Sequence, residues 1–325
     1  MREHRTLITG AAGFAGSHLI DLLPDTTPIV AWHRPGLSPL DARPHVNWRA
    51  VELTDRHEVA RAVAEASPSH VYHLAGAPNV ESSWHNAVPH LQINALGTHH
   101  LLEAIRGVGG AGCRVLVVSS AQIYQGGSDP IDERAPIVPM SPYGATKVAQ
   151  DQLALRAHRD DGLDTVVARA FNHTGPRQEP NYAVPSFARQ IARIESGLER
   201  PVLRVGNLDA RRDLTDVRDV VAAYMALMAR GRSGRAYNVC SGQAWRIGDL
   251  LDVLRGLSTA EVMLEPDPDR MRPNDIPLLQ GNATRLQKET GWKPVIPIEQ
   301  TLRDTLDWWR ASVRTEQNQR EPSNA

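Results

Sequence analysis

The sequence predicts an α/β protein: a Rossmann-type, doubly wound parallel sheet with a smaller α/β domain towards the C-terminus. Three observations support this fold class. Short β-branched runs alternate with helix-length segments in the first half, a glycine turn follows the first run, and prolines and loops become frequent after Phe171. Strands that alternate with helices of this length are typical of a parallel sheet covered on both faces.

The elements of the first half can be assigned in order. Short apolar runs predict strands, and longer segments with helical spacing predict helices. The predicted strands are 6–9, 28–32, 46–51, 70–74, 115–119 and 165–169. The predicted helices are 15–23, 55–66 with Asp55 as its N-cap, 88–106 and 142–159.

The second half has shorter strands and more loops. Helices are predicted at 186–195, 217–229, 247–254 and 298–309. We expect residues 1–171 to form the first domain, with 214–243 returning to it, and residues 172–213 and 244–312 to form the second. The polar segment 313–325 is expected to be a disordered tail.

Composition argues against several classes of protein. The 325 residues carry 36 Lys and Arg against 37 Asp and Glu, a net charge of −1, which argues against nucleic-acid binding and against a polybasic membrane anchor. Two cysteines, Cys113 and Cys240, argue against a disulfide framework or a cysteine-based zinc site and favour a reducing compartment. The sequence has neither a signal-peptide pattern nor an apolar run of membrane-spanning length, so we expect a cytoplasmic protein.

The segment between the first strand and the first helix is a candidate phosphate-binding turn. Gly10, Gly13 and Gly16 are spaced as G-x-x-G-x-x-G, and Phe14 and Ala15 lie inside this pattern. Glycine permits a tight reversal and a close approach of the backbone, while the helix N-terminus presents N–H groups to a pyrophosphate. The first domain is therefore predicted to bind a dinucleotide.

The end of the second strand bears on which dinucleotide binds. Sheets that bind NAD usually have a carboxylate there for the ribose diol, but this strand ends with His33 and Arg34. Arg34 is placed to meet a 2′-phosphate, which favours NADP(H) and leaves NAD(H) open; a solvated surface arginine is the alternative. Glu52, after the third strand, is a candidate partner for the adenine amino group or a merely solvated carboxylate.

Tyr143 and Lys147 form a Y-x-x-x-K pair at the start of helix 142–159. This spacing places the phenol and the ammonium on one helix face, where the lysine is expected to lower the pKa of Tyr143. Tyr143 can then exchange a proton with a substrate oxygen. Ser119 and Ser120 end the preceding strand at the edge that faces the ligand crevice in such sheets, so Ser120 is expected to hydrogen-bond the same oxygen.

Together, the glycine turn, the strand-end serine and the Y-x-x-x-K pair resemble the extended short-chain dehydrogenase/reductase family, over about residues 5–310. The resemblance implies that Ser120, Tyr143 and Lys147 are the catalytic set, and that Asn94 lies in a helix under the active site. The further residues that it implies beside the cofactor are Leu53, Leu74, Ala75 and Gly76.

Segments of the second half narrow the resemblance to the branch that contains GDP-mannose 4,6-dehydratase and GDP-4-keto-6-deoxymannose reductase. Residues 171–176, 205–213 and 272–277 are similar to the nucleotide-binding segments of this branch, and 213–221 and 237–242 are closer to the reductase. The branch implies a GDP-sugar substrate. The residues implied to contact it are Gln122, Asn172, Asn207, and the two arginines expected to clamp its phosphates, Arg212 and Arg272. The alternative is a surface ion pair for each arginine and a turn-capping amide for Asn172.

Gln122 is a departure from the dehydratase pattern. The dehydratases of this branch have a Glu at this position, two residues before Tyr124, and glutamine cannot act as a general base. This favours a reductase unless Asp132 or Glu133 substitutes. The resemblance therefore implies NAD(P)H-dependent reduction of the C4 ketone of GDP-4-keto-6-deoxy-D-mannose to a GDP-6-deoxyhexose, with GDP-D-rhamnose favoured.

Three other interpretations stay open at this point. They are a GDP-mannose 4,6-dehydratase, a nucleotide-sugar 4-epimerase that recycles its bound cofactor, and a non-enzymatic dinucleotide-binding regulator. Family members commonly pack the two long helices, here 88–106 and 142–159, across a two-fold axis. The resemblance therefore also implies a homodimer.

Overall fold

A seven-stranded parallel sheet dominates the computed structural model, which describes residues 5–37, 43–110, 112–271 and 276–320. Helices cover both faces of this sheet, and a smaller lobe of short strands and helices follows. The prediction of a Rossmann-type α/β fold is confirmed.

The strands form where β-branched and apolar residues are concentrated. In chain order the strands are β1 Thr6–Thr9, β2 Ile29–His33, β3 Val46–Ala50, β4 His70–His73, β5 Arg114–Ser120, β6 Asp164–Ala170, β7 Asn172–Thr174, β8 Val202–Val205, β9 Arg211–Asp216, β10 Arg235–Val239, β11 Ala244–Arg246, β12 Met263–Pro266 and β13 Leu278–Leu279.

Two of the helices that cover the large sheet begin at residues whose side chains accept from free N–H groups. Asp55 accepts hydrogen bonds from the first turn of the second helix, and Ser141 accepts one from Gly144 in the sixth. In chain order the helices are α1 Phe14–Leu22, α2 Arg56–Ala66, α3 Val80–His85, α4 Ala87–Leu91, α5 Thr98–Gly107, α6 Pro142–Asp161, α7 Ala183–Glu195, α8 Val217–Arg230, α9 Ile247–Leu257, α10 Thr284–Thr290 and α11 Ile298–Arg320. A π-helical segment, Gln92–Gly97, joins α4 to α5, so the predicted helix 88–106 is continuous but irregular.

The order of strands in the large sheet is β10-β6-β5-β4-β1-β2-β3, and all of its strand pairs are parallel. The chain reverses its direction of progress between β1 and β4, which lie side by side with Thr9 opposite His73. Ligands of open α/β sheets bind at the carboxyl ends of the strands where the order reverses. The glycine turn after β1 lies at this point.

The two faces of the sheet bury separate apolar cores. Ile8 and its neighbours pack against α1, α8 and α10 on one face. Leu7, which points to the opposite side as strand geometry requires, packs against α2, α5 and α6. The helix that carries the Y-x-x-x-K pair is therefore held firmly against the sheet.

The smaller lobe has its own core between α7, α9 and α11. Its main sheet has the order β11-β9-β13, with β7 also pairing with β9, and β8 pairs with β12. Because β7 follows β6 directly, the large sheet leads straight into this lobe.

The disordered tail that we expected from residue 313 is wrong for residues 313–320. The last helix continues to Arg320, and Val313 is fully buried. Leu302, Leu306, Trp309 and Val313 recur at helical spacing and form one apolar stripe against the core of the smaller lobe. Residues 321–325 lie outside the described residues. In the part of the chain that the structure describes, no helix is long and apolar enough to cross a bilayer.

Candidate active site

The glycine turn fits closely against the end of β4. Gly10 has a φ of +68°, and a Cβ atom added to it would lie 2.7 Å from the backbone nitrogen of Ala75. A Cβ on Gly16 would collide with the carbonyl oxygen of Gly10, and Gly13 is the N-cap of α1. The turn therefore requires glycine and leaves the N-terminus of α1, which begins with Phe14, open to a phosphate group.

The turn after β4 is held by Asn94, which is fully buried in the π-helical segment. Its side-chain oxygen accepts a hydrogen bond of 2.8 Å from the backbone of Ala77, and a Cβ on Gly76 would lie 2.9 Å from that oxygen. Its amide nitrogen donates to Thr146 on α6 at 2.9 Å. Leu74, Ala75 and Gly76 are thus fixed beside the glycine turn, where a dinucleotide is expected.

At the other end of the expected cofactor site, Arg34 is exposed directly after β2. Glu52 follows β3, and one of its carboxylate oxygens accepts hydrogen bonds from the backbone and the hydroxyl of Thr54 at 3.0 and 2.8 Å. Leu53 is buried, and its carbonyl oxygen lies 3.0 Å from Nδ1 of His100. Glu52 therefore stabilises its own turn as well as lying where an adenine is expected.

The structure brings the three predicted catalytic residues together. Ser120 ends β5, and its hydroxyl hydrogen-bonds the phenol of Tyr143. The backbone N–H of Tyr143 donates to the hydroxyl of Ser83 at 3.1 Å, which anchors the first turn of α6. Lys147 lies one turn later on the same helix and is buried.

The phenol of Tyr143 is electrostatically different from the sequence-based expectation. Burial raises the pKa of Tyr143 above its ordinary value of 10, and the hydrogen bond with Ser120 lowers it by less. The expected lowering of this pKa by Lys147 is therefore wrong, because burial dominates and the ammonium is directed towards other acceptors. A phenol with a raised pKa stays protonated at neutral pH and can donate a proton.

Lys147 is held in a buried and largely uncharged environment. Its ammonium donates to the carbonyl oxygen of Val118 at 2.7 Å and to the side-chain oxygen of Gln150. Burial lowers the pKa of Lys147 to about 7, against the opposing effect of Asp151. A small change at its acceptors can therefore alter its protonation near neutral pH.

Three of the predicted substrate residues, Asn172, Asn207 and Arg212, lie in or next to the short strands of the smaller lobe. Asn172 begins β7, which pairs with β9, the strand that contains Arg212. The guanidinium of Arg212 donates to the backbone carbonyl of Ile276, while Asn207 accepts a 3.0 Å hydrogen bond from the backbone of Asp209. Arg272 lies outside the described residues. The ligand roles of these residues stay predictions.

The two loop carboxylates that would have to replace the missing dehydratase base are bonded elsewhere. Asp132 forms an ion pair with Arg134. The buried Glu133 accepts a 2.9 Å hydrogen bond from the backbone of Asn238 and pairs with Arg285. Gln122 itself lies in the short 3-10 turn directly after Ser120. Two positions after Ser120 the side chain is thus an amide and not a carboxylate.

The site offers no clear set of metal ligands. Among the residues that the structure describes, no group of three or more His, Cys, Asp or Glu side chains could hold an ion. Cys113 and Cys240 are both free and buried. Burial raises the pKa of Cys113 to about 12, which keeps its thiol protonated at neutral pH.

Several residues of the site escaped the sequence analysis. Ser83 is fully buried under Tyr143, and His73, Thr98 and Gln150 are fully buried around Lys147. The one signal for them was a polar residue within an apolar run, as in His70–His73. That signal does not distinguish a structural polar residue from one that contacts a catalytic group.

Comparison with known proteins agrees with the motifs. Residues 7–305 match the model of the GDP-mannose 4,6 dehydratase family. The chain is 36% identical over 320 residues to GDP-6-deoxy-D-mannose reductase of Pseudomonas aeruginosa, an alignment that covers 96% of this chain and 99% of the relative.

Solved structures give the same result. RMD from Pseudomonas aeruginosa complexed with NADPH superposes with a TM-score of 0.82 at 35% identity, covering 95% of this chain and 99% of that one. UDP-glucose 4-epimerase of Thermus thermophilus, in complex with NAD, superposes with a TM-score of 0.83 at 28% identity and the same coverage. The chain therefore belongs to the GDP-mannose 4,6 dehydratase family of extended short-chain dehydrogenase/reductase enzymes.

Proposed function

We propose that this enzyme reduces the C4 ketone of GDP-4-keto-6-deoxy-D-mannose to GDP-D-rhamnose, with NADPH as the reductant. One observation carries the proposal: Ser120 and Tyr143 are hydrogen-bonded at the strand end, while the neighbouring position of the dehydratase base is Gln122. Carbonyl reduction needs a proton donor and a group that polarises the oxygen, whereas elimination of water needs a carboxylate. The 36% identity to GDP-6-deoxy-D-mannose reductase supports the same activity.

The glycine turn and the end of β2 fit NADPH. A Cβ on Gly10 or Gly16 would collide with neighbouring backbone, so glycine permits the tight turn that places a pyrophosphate at the N-terminus of α1. Arg34 is exposed after β2, where it can pair with a 2′-phosphate, and the similarity to a structure complexed with NADPH supports this choice over NAD. When bound, NADPH supplies the hydride that is added to C4.

The protein's own residues handle the oxygen and the proton. Ser120 donates a hydrogen bond to the C4 oxygen and polarises the carbonyl. Tyr143, kept protonated by its raised pKa, gives its proton to the same oxygen as the C–H bond forms at C4, so the ketone becomes an alcohol. The Lys147 ammonium holds the ribose next to the nicotinamide, and solvent returns a proton to the Tyr143 phenolate after the transfer.

The nucleotide-sugar is proposed to bind across the entrance to the smaller lobe. Arg212 lies next to Ile276, and Arg272 belongs to the segment just before that residue in the chain. Two guanidinium forks suit a diphosphate, because each can donate two parallel hydrogen bonds. Asn172 and Asn207 supply amide groups for the sugar diphosphate.

A direct assay tests this function. The purified protein is incubated with GDP-4-keto-6-deoxy-D-mannose and NADPH, the absorbance of the reduced nicotinamide is followed, and the product is identified by NMR. Loss of absorbance with formation of GDP-D-rhamnose is expected. Conversion of GDP-mannose without added reductant would instead identify a dehydratase or an epimerase, and an inert protein would identify a non-enzymatic binder.

We also propose a homodimer. The supporting feature is an apolar stripe on the outer surface of the α3–α5 region, which consists of Trp84, Val88, Leu91 and Leu96. These side chains are between 41% and 60% exposed and recur at nearly helical spacing. A second copy of the chain would remove this stripe from water across a two-fold axis.

A cytoplasmic location fits the cysteines. Cys113 and Cys240 are free thiols in the structure, and both are buried. Reduced thiols are the usual state in the cytoplasm. The proposed nucleotide-sugar and NADPH are also charged molecules that do not cross a bilayer unaided.

A further inference from the structure

A continuous chain of buried hydrogen bonds connects the catalytic lysine to the residue before the glycine turn. From Lys147 the chain passes through the side chains of Gln150, Thr98 and His73 to Thr9. The three links beyond Gln150 measure 2.8, 2.8 and 2.7 Å. Apart from Lys147, which is almost buried, all members are fully buried. Such a network has no water to replace a lost partner, so each member restricts the next.

The hydrogen atoms in this chain can be assigned from donor capacity alone. The hydroxyl of Thr98 donates its single proton to the backbone carbonyl of Asn94 at 2.6 Å, so it must accept from both His73 and Gln150. His73 therefore carries its proton on Nε2. Its Nδ1 accepts from Thr9, whose hydroxyl in turn accepts a 3.2 Å bond from the backbone of Ala75.

This assignment also fixes the orientation of the Gln150 amide. Its nitrogen must donate to Thr98, so its oxygen must face the Lys147 ammonium. A neutral His73 is consistent with the lowered pKa that burial and the nearby Lys147 give it. An inverted amide would place two donors against each other at Lys147 and leave Thr98 without a donor from this side.

We propose that Gln150 is a positioning residue for Lys147, which holds the ammonium through an amide oxygen whose direction is set by Thr98 and His73. This inference rests on the proposed function, because it assigns Gln150 to the proton-transfer chemistry of the same site. The hydrogen-bond network ends at Thr9, whose hydroxyl also accepts a hydrogen bond from the backbone N–H of Ala75 beside the glycine turn. The lysine and the cofactor turn are thus aligned by one set of hydrogen bonds.

The other titratable groups near Lys147 are either neutral or paired elsewhere, so we assign the positioning of its ammonium to Gln150. Asp151 on the same helix favours the ammonium, but it is paired with Arg169 on β6. His73 on β4 is neutral, and Tyr143 is a protonated phenol at neutral pH. The direct acceptors of the ammonium are the carbonyl of Val118 and the amide of Gln150, of which only the amide can be altered by substitution.

Two substitutions change the acceptor in opposite ways. Gln150→Leu removes it, so the ammonium loses a hydrogen bond and gives up its proton at a lower pH. Gln150→Glu places a carboxylate there, so the ammonium keeps its proton to a higher pH. We expect shifts of about one pH unit or more in opposite directions, since a hydrogen bond to a charged group is worth at least that much.

The direct measurement is NMR titration of lysine labelled at Cε. The chain contains three lysines, Lys147, Lys288 and Lys293, so the spectrum is simple, and a Lys147→Met variant assigns the relevant signal. The second measurement is the pH profile of kcat/KM for ketosugar reduction. Its alkaline limb should move down by about one pH unit in Gln150→Leu and up in Gln150→Glu.

Gln300→Leu is the matched control, because Gln300 is exposed on α11 and should change neither measurement. Circular dichroism and thermal melting establish that each variant is folded. If both Gln150 variants fold and the Lys147 titration stays unchanged, the proposal is wrong. If the parent does not reduce the ketosugar, the proposed function fails, but the NMR titration still reports on the contact between Gln150 and Lys147.

Discussion

At the scale of single residues, the site combines a phenol that resists ionisation with a lysine that is ready to lose its proton. Burial raises the pKa of Tyr143 and lowers that of Lys147 to about 7, because both charged forms are poorly solvated there. A protonated Tyr143 is the form needed to give a proton to a reduced carbonyl.

The first prediction concerns Tyr143→Phe. This change removes the proton donor and leaves the ring in place, so kcat for ketosugar reduction should fall by roughly 10²- to 10⁴-fold while NADPH binding is retained. Stopped-flow absorbance gives the rate, and nicotinamide fluorescence gives the affinity. Tyr237→Phe is the control, because the phenol of Tyr237 on β10 donates to Glu289 on α10 and should matter for stability alone. Full activity in Tyr143→Phe would refute the assigned mechanism.

The second prediction concerns the cost of burying Lys147. In the folded protein its pKa is about 7, against an ordinary value of 10.5, so between these values the unfolded chain binds a proton that the folded chain has released. The free energy of unfolding of the parent therefore rises with pH across this window. Lys147→Met lacks this dependence, and its gain in stability over the parent should be largest below pH 7 and shrink towards pH 10.

Urea denaturation of the parent and Lys147→Met at pH 6.5 and 9.5 measures this difference. Lys288→Met is the control, because Lys288 is exposed and its ammonium is hydrated in both states. A stability difference between parent and Lys147→Met that does not change with pH would contradict the prediction.

At the scale of elements, the position of α6 depends on a buried ion pair. Asp151 on α6 accepts two hydrogen bonds from Arg169 on β6, at 2.8 and 3.0 Å, and both side chains are buried. Arg169 also donates to the phenol of Tyr124 at 2.8 Å. This pair locks the helix that carries Tyr143 and Lys147 against the strand next to Ser120.

The third prediction follows from this pair. Asp151→Ala leaves the guanidinium of Arg169 buried without its partner, which should lower the free energy of unfolding by about 3–5 kcal/mol. The double change Asp151→Leu with Arg169→Met removes both charges and should recover most of that loss. Equilibrium denaturation in urea measures both variants. A double variant as unstable as the single one would show that packing, and not the unpaired charge, causes the loss.

At the scale of the whole molecule, the apolar stripe of Trp84, Val88, Leu91 and Leu96 is exposed to solvent. The fourth prediction is that Val88→Lys with Leu91→Glu converts the proposed dimer into a monomer, because the charges cannot be buried unpaired. Light scattering after gel filtration measures the mass. Met263→Glu is the control, since Met263 is 66% exposed on β12, far from this stripe in the chain. A parent that is itself monomeric would refute the dimer.

The fold class and the core of the site follow from local sequence patterns. The spacing of Gly10, Gly13 and Gly16 and the pair Tyr143 and Lys147 specify a turn and a helix face by themselves, because each pattern spans fewer than eight residues. Ser120 could be assigned because strand ends of parallel sheets converge at one edge. Local patterns are therefore sufficient to predict this catalytic set.

The sequence by itself determined the α/β fold and the glycine turn, and it predicted the catalytic residues. The tertiary structure alone decided that Tyr143 has a raised pKa, that Val313 is buried in a continued helix, and that Gln150 faces Lys147. These properties depend on burial and on contacts between residues distant in the chain, such as His73 with Thr9. The pKa of a side chain depends on its exposure to water, and a local sequence pattern does not specify that exposure.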